Sequence, residues 1–532
     1  MNKAVPAGSG RDSSGNCPYL RAVRQHAEYL IEHARDRYGP KKTPLFVDRI
    51  DSSNGAATPA PWHFNRRGAN DVILSNLAMQ QQFFAVLDGL TALTGSEHYR
   101  AAAAEALGYA FANLTDPSGL LRWGGHCAYD ALADDWVGYR AGVHEMKCVY
   151  PHYELMWRVD PAATKRFIEA FWNAHIYDWS VLDFSRHGSY GQPMGRLWDN
   201  EYVGRQVWFT GRGLTFTNTG SDLYYAAAAL HRFTGDARPL VWAKRLNHRF
   251  IETRDPATGM AGYQFTIRYL PNADHWTDRA IHQFSGMLCG HVVREGAIST
   301  ARQIKAICVQ AGMIRMAIGE TLGREGQEFL SSAVEDLAAY GKWAYQPREN
   351  VFNAIHTDGT ILTGMVFQKD GYYGPMGDFF RAGPGDCKYL LAYATAYRLT
   401  KDAFMWQMAA DLARGNGLGE LGEPAGQPAL NAQTSCSDPA AVLAMLQLHQ
   451  ATGRQEFLSS ARRVADNILN LRFRDGRFIA GRDGQTVDLD SNDPAAMLYL
   501  SAALAGKIGE LPPMRPCYEP HRGRRVMPDE ED

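Results

Sequence analysis

A chain of 532 residues has room for about three to four domains of ordinary size, or for one large repeat fold. Its 45% hydrophobic and 21% charged residues match ordinary globular usage, which excludes a mostly disordered chain or a low-complexity fibre. Lys and Arg number 55 against 57 for Asp and Glu, so a net charge of −2 offers no broad positive field to a phosphate backbone, and no nucleic acid partner is expected.

The first residues, MNKAVPAGSGRDSSGNCPYL, contain no apolar run of the secretory type, so a cytoplasmic location is expected. Residues 1–17 and 512–532 lack periodicity and read as flexible tails around a single folded body, 18–511. Eight cysteines are sparse, and the shortest interval, the 19 positions from Cys289 to Cys308, leaves no CxxC pair, so reduced, mostly buried thiols are expected. Apolar stretches such as Leu223–Leu230 and Ala495–Ala505 fall short of the ~20 residues that span a bilayer, so no membrane partner is expected.

Within the body one phrase recurs: an apolar helix ending near Thr-Gly, a short loop, a second helix and a glycine turn. It runs from Leu90 (LTALTGSEHYRAAAAEALGYAFANLTDPSGLLRWGG) and from Leu230, with weaker copies from Ala317, Ala396 and Leu448. Between the first two copies, Asp160 and Pro161 form a helix start, after which Phe167, Ile168, Phe171, Trp172 and His175 share one face. The glycine of each Thr-Gly supplies a left-handed cap. A two-helix unit cannot bury its apolar stripe alone, so the units must stack. The expected fold is all-α, a closed (α/α) barrel or toroid of about seven helical hairpins with the more apolar helices inside. Short β-strands or a hairpin, such as Arg205–Asn218, should decorate a rim that frames a concave cleft.

Chemically capable residues are densest between Arg122 and Arg212, in RWGGHCAYD (122–130), VHEMKCVYPHYELMW (143–157), LDFSRHGSYG (182–191) and WDNEY (198–202). His126 follows a Gly-Gly that admits close backbone approach, His144-Glu145 precedes an apolar helix, and His187 follows Arg186. Two imidazoles and one carboxylate suit a divalent transition metal better than Ca²⁺. Other roles stay open on the residues alone. Glu145 could be a first-turn acid and Arg186 a surface charge. Asp183, Asp199 and Glu201 could be caps, ion-pair partners or the acid and base of a glycoside hydrolase. Tyr372, Tyr373 and Trp276 read as packing residues before sugar platforms.

The order His126, Glu145 after 19 residues, then Arg186-His187 after 41 and 42, with GGHCAYD, VHEMKCVYPHYELMW and FSRHG, resembles the pectate lyases of polysaccharide lyase family 2. The resemblance implies an α/α toroid in which His126, Glu145 and His187 hold a catalytic divalent metal (Mn, Co or Ni) and Arg186 is the Brønsted base. The implied substrate is α-1,4-linked polygalacturonate or its oligogalacturonides, cleaved by β-elimination to a 4,5-unsaturated uronide. Removal of the C5 proton builds charge on the uronate carboxylate, which a cation carrying one carboxylate ligand can neutralise. An arginine base is demanding because guanidinium holds its proton, though nearby cations and little water favour the neutral form. Lys147, Arg122, Arg212 and Tyr190 are the candidate substrate-binding residues, and Lys147 or Tyr190 could take the proton if Arg186 stays charged. The alternatives are a metal-free hydrolase or epimerase using carboxylates such as Asp199 and Glu201, or histidines, as acid and base, and a carbohydrate-binding repeat protein without turnover.

Overall fold

The helix corners repeat one local device, which explains the recurring Thr-Gly. Thr94, Thr234, Thr400 and Thr452 each donate their hydroxyl to the carbonyl four residues earlier, at 2.6–2.7 Å. The same hydroxyls accept the backbone N–H two residues later, from Ser96, Asp236, Asp402 and Arg454. The residue between the two bonds is left-handed: Gly95 (φ 72°), Gly235 (73°) and Gly453 (75°), with Lys401 (61°) taking the same conformation in the weaker copy. The N–H of that left-handed residue donates to an orphan carbonyl of the last turn (Thr91, His231, Tyr397 or His449), and the chain turns into the next helix.

The structure is a computed structural model that describes residues 17–59, 72–138, 143–268, 295–368, 370, 373–480 and 484–515. Its helices are α1 (Pro18–His33), α2 (Gln81–Thr94), α3 (Glu97–Asn113), α4 (Tyr153–Val159), α5 (Pro161–His175), α6 (Thr217–Thr234) and α7 (Ala237–Ile251). Then follow α8, in three consecutive pieces (Ala301–Lys305, a π-wound Ala306–Ala311, Gly312–Leu322), α9 (Gln327–Trp343), α10 (Cys387–Thr400), α11 (Ala403–Gly415), α12 (Pro439–Thr452), α13 (Gln455–Arg472) and α14 (Asp493–Leu504). As expected, Asp160 caps α5 by accepting the Ala163 N–H at 2.9 Å, and Pro161 opens it.

Helices α2, α4, α6, α8, α10, α12 and α14 form an inner ring, each but the last backed by the outer helix that follows it. The last inner helix, α14, is backed by α1 from the other end of the chain and packs against α2, which closes an α/α toroid of seven hairpins among the described residues. Inner helices are the more apolar, as the stacking argument requires: α12 buries every residue from Ala440 to Leu448. Polar bonds tie the ring where α4 is short. Asp222 of α6 accepts the N–H groups of Val149 and Tyr150, and Gln81 of α2 accepts that of His152.

The strand expected within Arg205–Asn218 is present, though not as a hairpin. Phe209–Gly211 is a strand, but it pairs in parallel with Thr266–Arg268, which a tight hairpin cannot do, and Thr217 and Asn218 already belong to α6. Residues 512–515 lie against the ring: Tyr499 donates to the Pro512 carbonyl, and Arg515 reaches the Tyr150 carbonyl at 2.7 Å. Residues 1–16 and 516–532 lie outside the described residues, as does Trp276. No helix among the described residues is long and apolar enough to cross a membrane.

Ring closure contains a titratable group. His26 of α1 is fully buried, accepts the Phe478 N–H at Nδ1 (3.2 Å) and meets the Phe478 ring edge-on. Burial drives its pKa from 6.5 down to about 3. Below pH 6.5 the unfolded chain therefore takes up a proton that the folded chain refuses, so stability falls with pH across that window, by up to about 1.4 kcal/mol per unit. His26→Gln, with no proton to gain, is expected to give a shallower decline in the urea midpoint between about pH 6.5 and 4. An unchanged decline would contradict this role.

Candidate metal centre

Three short segments lie side by side at the end of the ring where the inner helices begin. The first is 124–126, which leads into β1 (Cys127–Asp130); the second is β2 (Val143–Glu145); the third is β3 (His187–Ser189). Strands β2 and β3 are antiparallel with Glu145 directly opposite His187, so the two side chains share one face. On the other side of β2, Gly124 bridges to Glu145, and the Gly125 N–H donates to the Glu145 carbonyl at 2.9 Å. This approach demands glycine. A Cβ on Gly124 (φ 116°) would sit 2.0 Å from the Glu145 carbonyl oxygen, and one on Gly125 would sit 2.1 Å from Glu145 Oε2.

The ladder gathers ligand-type atoms from all three segments. His126 Nε2 lies 2.9 Å from His187 Nε2 and 3.3 Å from Glu145 Oε2, and His187 Nε2 lies 3.8 Å from Glu145 Oε1. The three donor atoms fall within 4.8 Å of one another. His126 and Glu145 are buried, whereas the His187 side chain is 25% exposed, so the cluster opens towards solvent past His187. Arg186 Nε stands 3.6 Å from Glu145 Oε1, beyond hydrogen-bond reach, and its guanidinium lies 5.8 Å from the centre of the Phe216 ring at the start of α6.

Electrostatics favour an ionised Glu145 and a neutral His187. Burial would raise the Glu145 pKa, but His126, Lys147, Arg186 and His187 together hold it well below the usual carboxylate range. Burial, reinforced by the Arg186 charge, lowers His187 to about 3, which leaves its ring neutral with a lone pair to give.

Glu145 ends a strand eight residues before Tyr153 opens α4, so it is not a first-turn acid; the strand, not a helix dipole, positions it. Strand alternation also separates the neighbours His144 and Glu145. His144 points into the core, where its Nδ1 meets His175 Nε2 at 2.8 Å, while His175 Nδ1 lies 2.8 Å from the Ser185 carbonyl. That carbonyl can only accept, so His175 donates from Nδ1 and accepts from His144 Nδ1–H. The chain of bonds joins the strand carrying Glu145 to the residue preceding Arg186, and Gly188 is bare because a Cβ there would meet His175 Nε2 at 2.5 Å. Asn76 is a second support: its amide donates to the Gly124 carbonyl (2.7 Å) and accepts the Gly124 N–H (3.2 Å). Sequence reasoning missed both supports. His175 left a trace, as the polar end of an otherwise apolar helix face; Asn76 left none.

The remaining candidates are dispersed around this centre. Lys147 is buried and acts on Glu145 through its charge. Arg122 stacks on Trp136 at 4.5 Å and approaches Tyr190 at 5.9 Å. The Tyr190 hydroxyl donates to the Leu121 carbonyl (3.2 Å) and meets Cys127 Sγ (2.9 Å), and burial pushes its pKa well up, so it is placed to brace β1, not to receive a proton. The Arg212 side chain is exposed, 5.4 Å from the Tyr177 ring centre. Asp183 accepts the N–H groups of Arg212 and Gly213 and fixes that turn. Asp199 is paired with Arg238 on the exposed surface, and Glu201 is exposed. Tyr373 packs on Phe380; Tyr372 lies outside the described residues.

A family model described as periplasmic pectate lyase matches residues 43–519. A pectate disaccharide-lyase of Dickeya dadantii (strain 3937) is 30% identical over 514 residues, covering 93% of this chain and 90% of its own. The chain belongs to this pectate lyase family. Membership overturns the cytoplasmic location expected above, because the family is described as periplasmic; a polar stretch of N-terminal residues carries no address of its own. Among solved structures, the chain is similar to a family 76 α-mannanase of Bacteroides thetaiotaomicron (10% identity, TM-score 0.44, 93% of this chain and 98% of that one). It is also similar to cellobiose 2-epimerase of Bacillus thermoamylovorans (11% identity, TM-score 0.43, 91% and 98%).

The close contact at Gly125 yields a direct test of the candidate metal centre. Gly125→Ala places a methyl group against Glu145 Oε2 and displaces the carboxylate. Affinity for Mn²⁺, measured by isothermal titration, is expected to fall about tenfold or more, while circular dichroism keeps its helical signature. Unchanged affinity would show that the carboxylate position does not govern binding.

Proposed function

We propose that this chain is a metal-dependent lyase that cleaves α-1,4-linked polygalacturonate or oligogalacturonides by β-elimination, with His126, Glu145 and His187 as metal ligands and Arg186 as base. The observation that carries the reading is the convergence of two imidazole nitrogens and one carboxylate from three segments in a member of a pectate lyase family. The donor set fits a divalent transition ion. The His126 and His187 Nε2 atoms lie 2.9 Å apart, with Glu145 carboxylate oxygens 3.3 and 3.8 Å from them, so the three side chains could hold such an ion jointly. A neutral His187 and an ionised Glu145 are the forms that ligate.

When bound, the cation neutralises the charge that grows on the uronate carboxylate as the C5 proton departs. The residues of the chain do the rest. Arg186, after passing its own proton to solvent, accepts the C5 proton at a guanidine nitrogen; the C5–H electron pair becomes the C4=C5 bond, and the 4-linked oxygen leaves with the C4–O pair and takes a proton from solvent. The Arg186 side chain stands between Phe216, 5.8 Å from the ring centre, and Glu145, 3.6 Å from Oε1. Arg122 and Arg212 are the cations placed to meet carboxylates of the polymer, which is itself a polyanion, and buried Lys147 adds its positive charge near Glu145. The hydrolase reading is disfavoured because Asp199 is neutralised by Arg238 on the surface.

Incubation with polygalacturonate is expected to give a rise in ultraviolet absorbance from the unsaturated product, abolished by a chelator and restored by Mn²⁺, Co²⁺ or Ni²⁺. Glu145→Ala should lose metal loading, measured by elemental analysis, together with activity; reducing ends formed without the chromophore would point to hydrolysis instead. Arg186→Ala should keep the metal and lose a hundredfold or more in kcat, roughly the range of a general base. Arg186→Lys should retain more turnover than Arg186→Ala, since an amine gives up its proton more readily. Equal inactivity of the two would assign Arg186 to positioning.

A further inference from the structure

A second site of chemistry lies elsewhere on the ring. Cys387 is the first residue of α10, and Cys436 precedes α12, the next inner helix. Their sulfur atoms touch at 4.0 Å although 49 residues separate them in sequence. Cys387 is buried and Cys436 half-buried, so one of the two can be reached from solvent. The contact does not depend on loose chain. The Cys436 N–H donates to Thr434 Oγ1 at 3.2 Å, the Cys436 carbonyl accepts from Asn467 Nδ2 at 2.8 Å, and Asp386 caps α10 by accepting the Lys388 N–H. Other thiols face other partners: Cys127 meets Tyr190, and Cys148 meets Gln310 at 2.9 Å.

We propose that Cys387 and Cys436 are a disulfide-forming pair that fastens the N-terminal ends of two adjacent inner helices when a low-molecular-weight disulfide is present. The 4.0 Å contact must shorten to the ~2.05 Å of a bond, a closure of about 2 Å between side chains whose backbones are hydrogen-bonded in place. The reaction balances as follows. The Cys436 thiolate attacks one sulfur of oxidised glutathione and releases one glutathione thiolate. The Cys387 sulfur, having lost its proton to solvent, then attacks Cys436 Sγ and releases the second. The protein loses two electrons and two protons, and one oxidised glutathione becomes two reduced ones. Cys436 is the entry point because it is the exposed partner, and its hydrogen bond with Cys387 lowers its pKa, which favours the thiolate.

The expectation of reduced thiols rested on the sparse, widely spaced cysteines, and spacing along the chain does not reveal a sulfur contact made across 49 residues. The bond would also act where the fold is used. Both cysteines sit at the end of the ring at which inner helices start, the same end at which 143–152 and 209–216 lead into α4 and α6 beside the candidate metal centre.

The test uses the full chain, equilibrated with oxidised glutathione, denatured, alkylated and digested without reductant. Two of the eight thiols are expected to resist alkylation, and mass spectrometry is expected to find a peptide joining Cys387 to Cys436, 2 Da lighter than its parts. The Tm should rise by several degrees and return on reduction. Cys436→Ser, a change at the half-buried position, should keep its fold and show neither the linked peptide nor the Tm rise. Eight alkylated thiols after oxidation, or a lasting glutathione adduct on Cys436 with Cys387 still free, would overturn the proposal. The same Tm rise in Cys436→Ser would overturn it as well.

Discussion

The candidate centre rests on one close packing of backbone: Gly124 and Gly125 pressed against Glu145. Any side chain at either glycine would collide with the Glu145 carbonyl or carboxylate, so the absence of two Cβ atoms lets His126 reach the ion-binding face from one side while His187 reaches it from the other. The approach is maintained from behind by Asn76, which holds Gly124 through both its backbone groups, and by the His144–His175–Ser185 chain, which fixes β2 to the segment carrying Arg186. Each support is buried, and buried hydrogen bonds are the ones whose loss is most costly. The toroid enters as a frame: α4 begins eight residues after Glu145, and α6 begins beside Phe216, whose ring centre lies 5.8 Å from the Arg186 guanidinium.

The charge pattern follows the same logic. A single buried carboxylate is surrounded by Lys147, Arg186 and two imidazoles, which keeps it ionised despite burial. One anionic ligand leaves a divalent cation with net positive charge for a uronate, whereas an acid-rich cage would quench it. The opening past His187, with Arg186 beside it and Arg122 and Arg212 further out, places cations where a polyanionic sugar chain would arrive. The paired cysteines on α10 and α12 belong to the same end of the ring, so the frame and the chemistry share a rim.

Much of the architecture was legible in the sequence because it is written in local signals. The Thr-Gly corners are short-range devices, and each reads directly as a hydroxyl bonded back to a carbonyl followed by a left-handed residue. The weaker copy ending at Lys401 is the informative exception, since it keeps the threonine and the conformation without the glycine. The meeting of His126, Glu145 and His187 is a matter of strand pairing across tens of residues, and only the family resemblance brought them together in advance. Alternation along β2 decides that Glu145 and not His144 faces the centre, and a reading of that stretch as a helix start could not see it. Phe209–Gly211 shows the same limit, because its partner strand is more than fifty residues away. The role of Asn76 depends wholly on a tertiary contact and leaves no pattern in the chain.

The central claim is that one cation is held jointly by these three side chains. Anomalous diffraction from crystals soaked in Mn²⁺ tests it most directly. A single strong peak within about 2.0–2.3 Å of His126 Nε2, His187 Nε2 and a Glu145 carboxylate oxygen is the expected result. Full soaking with no peak among them, or a peak bound elsewhere on the ring, would contradict the account.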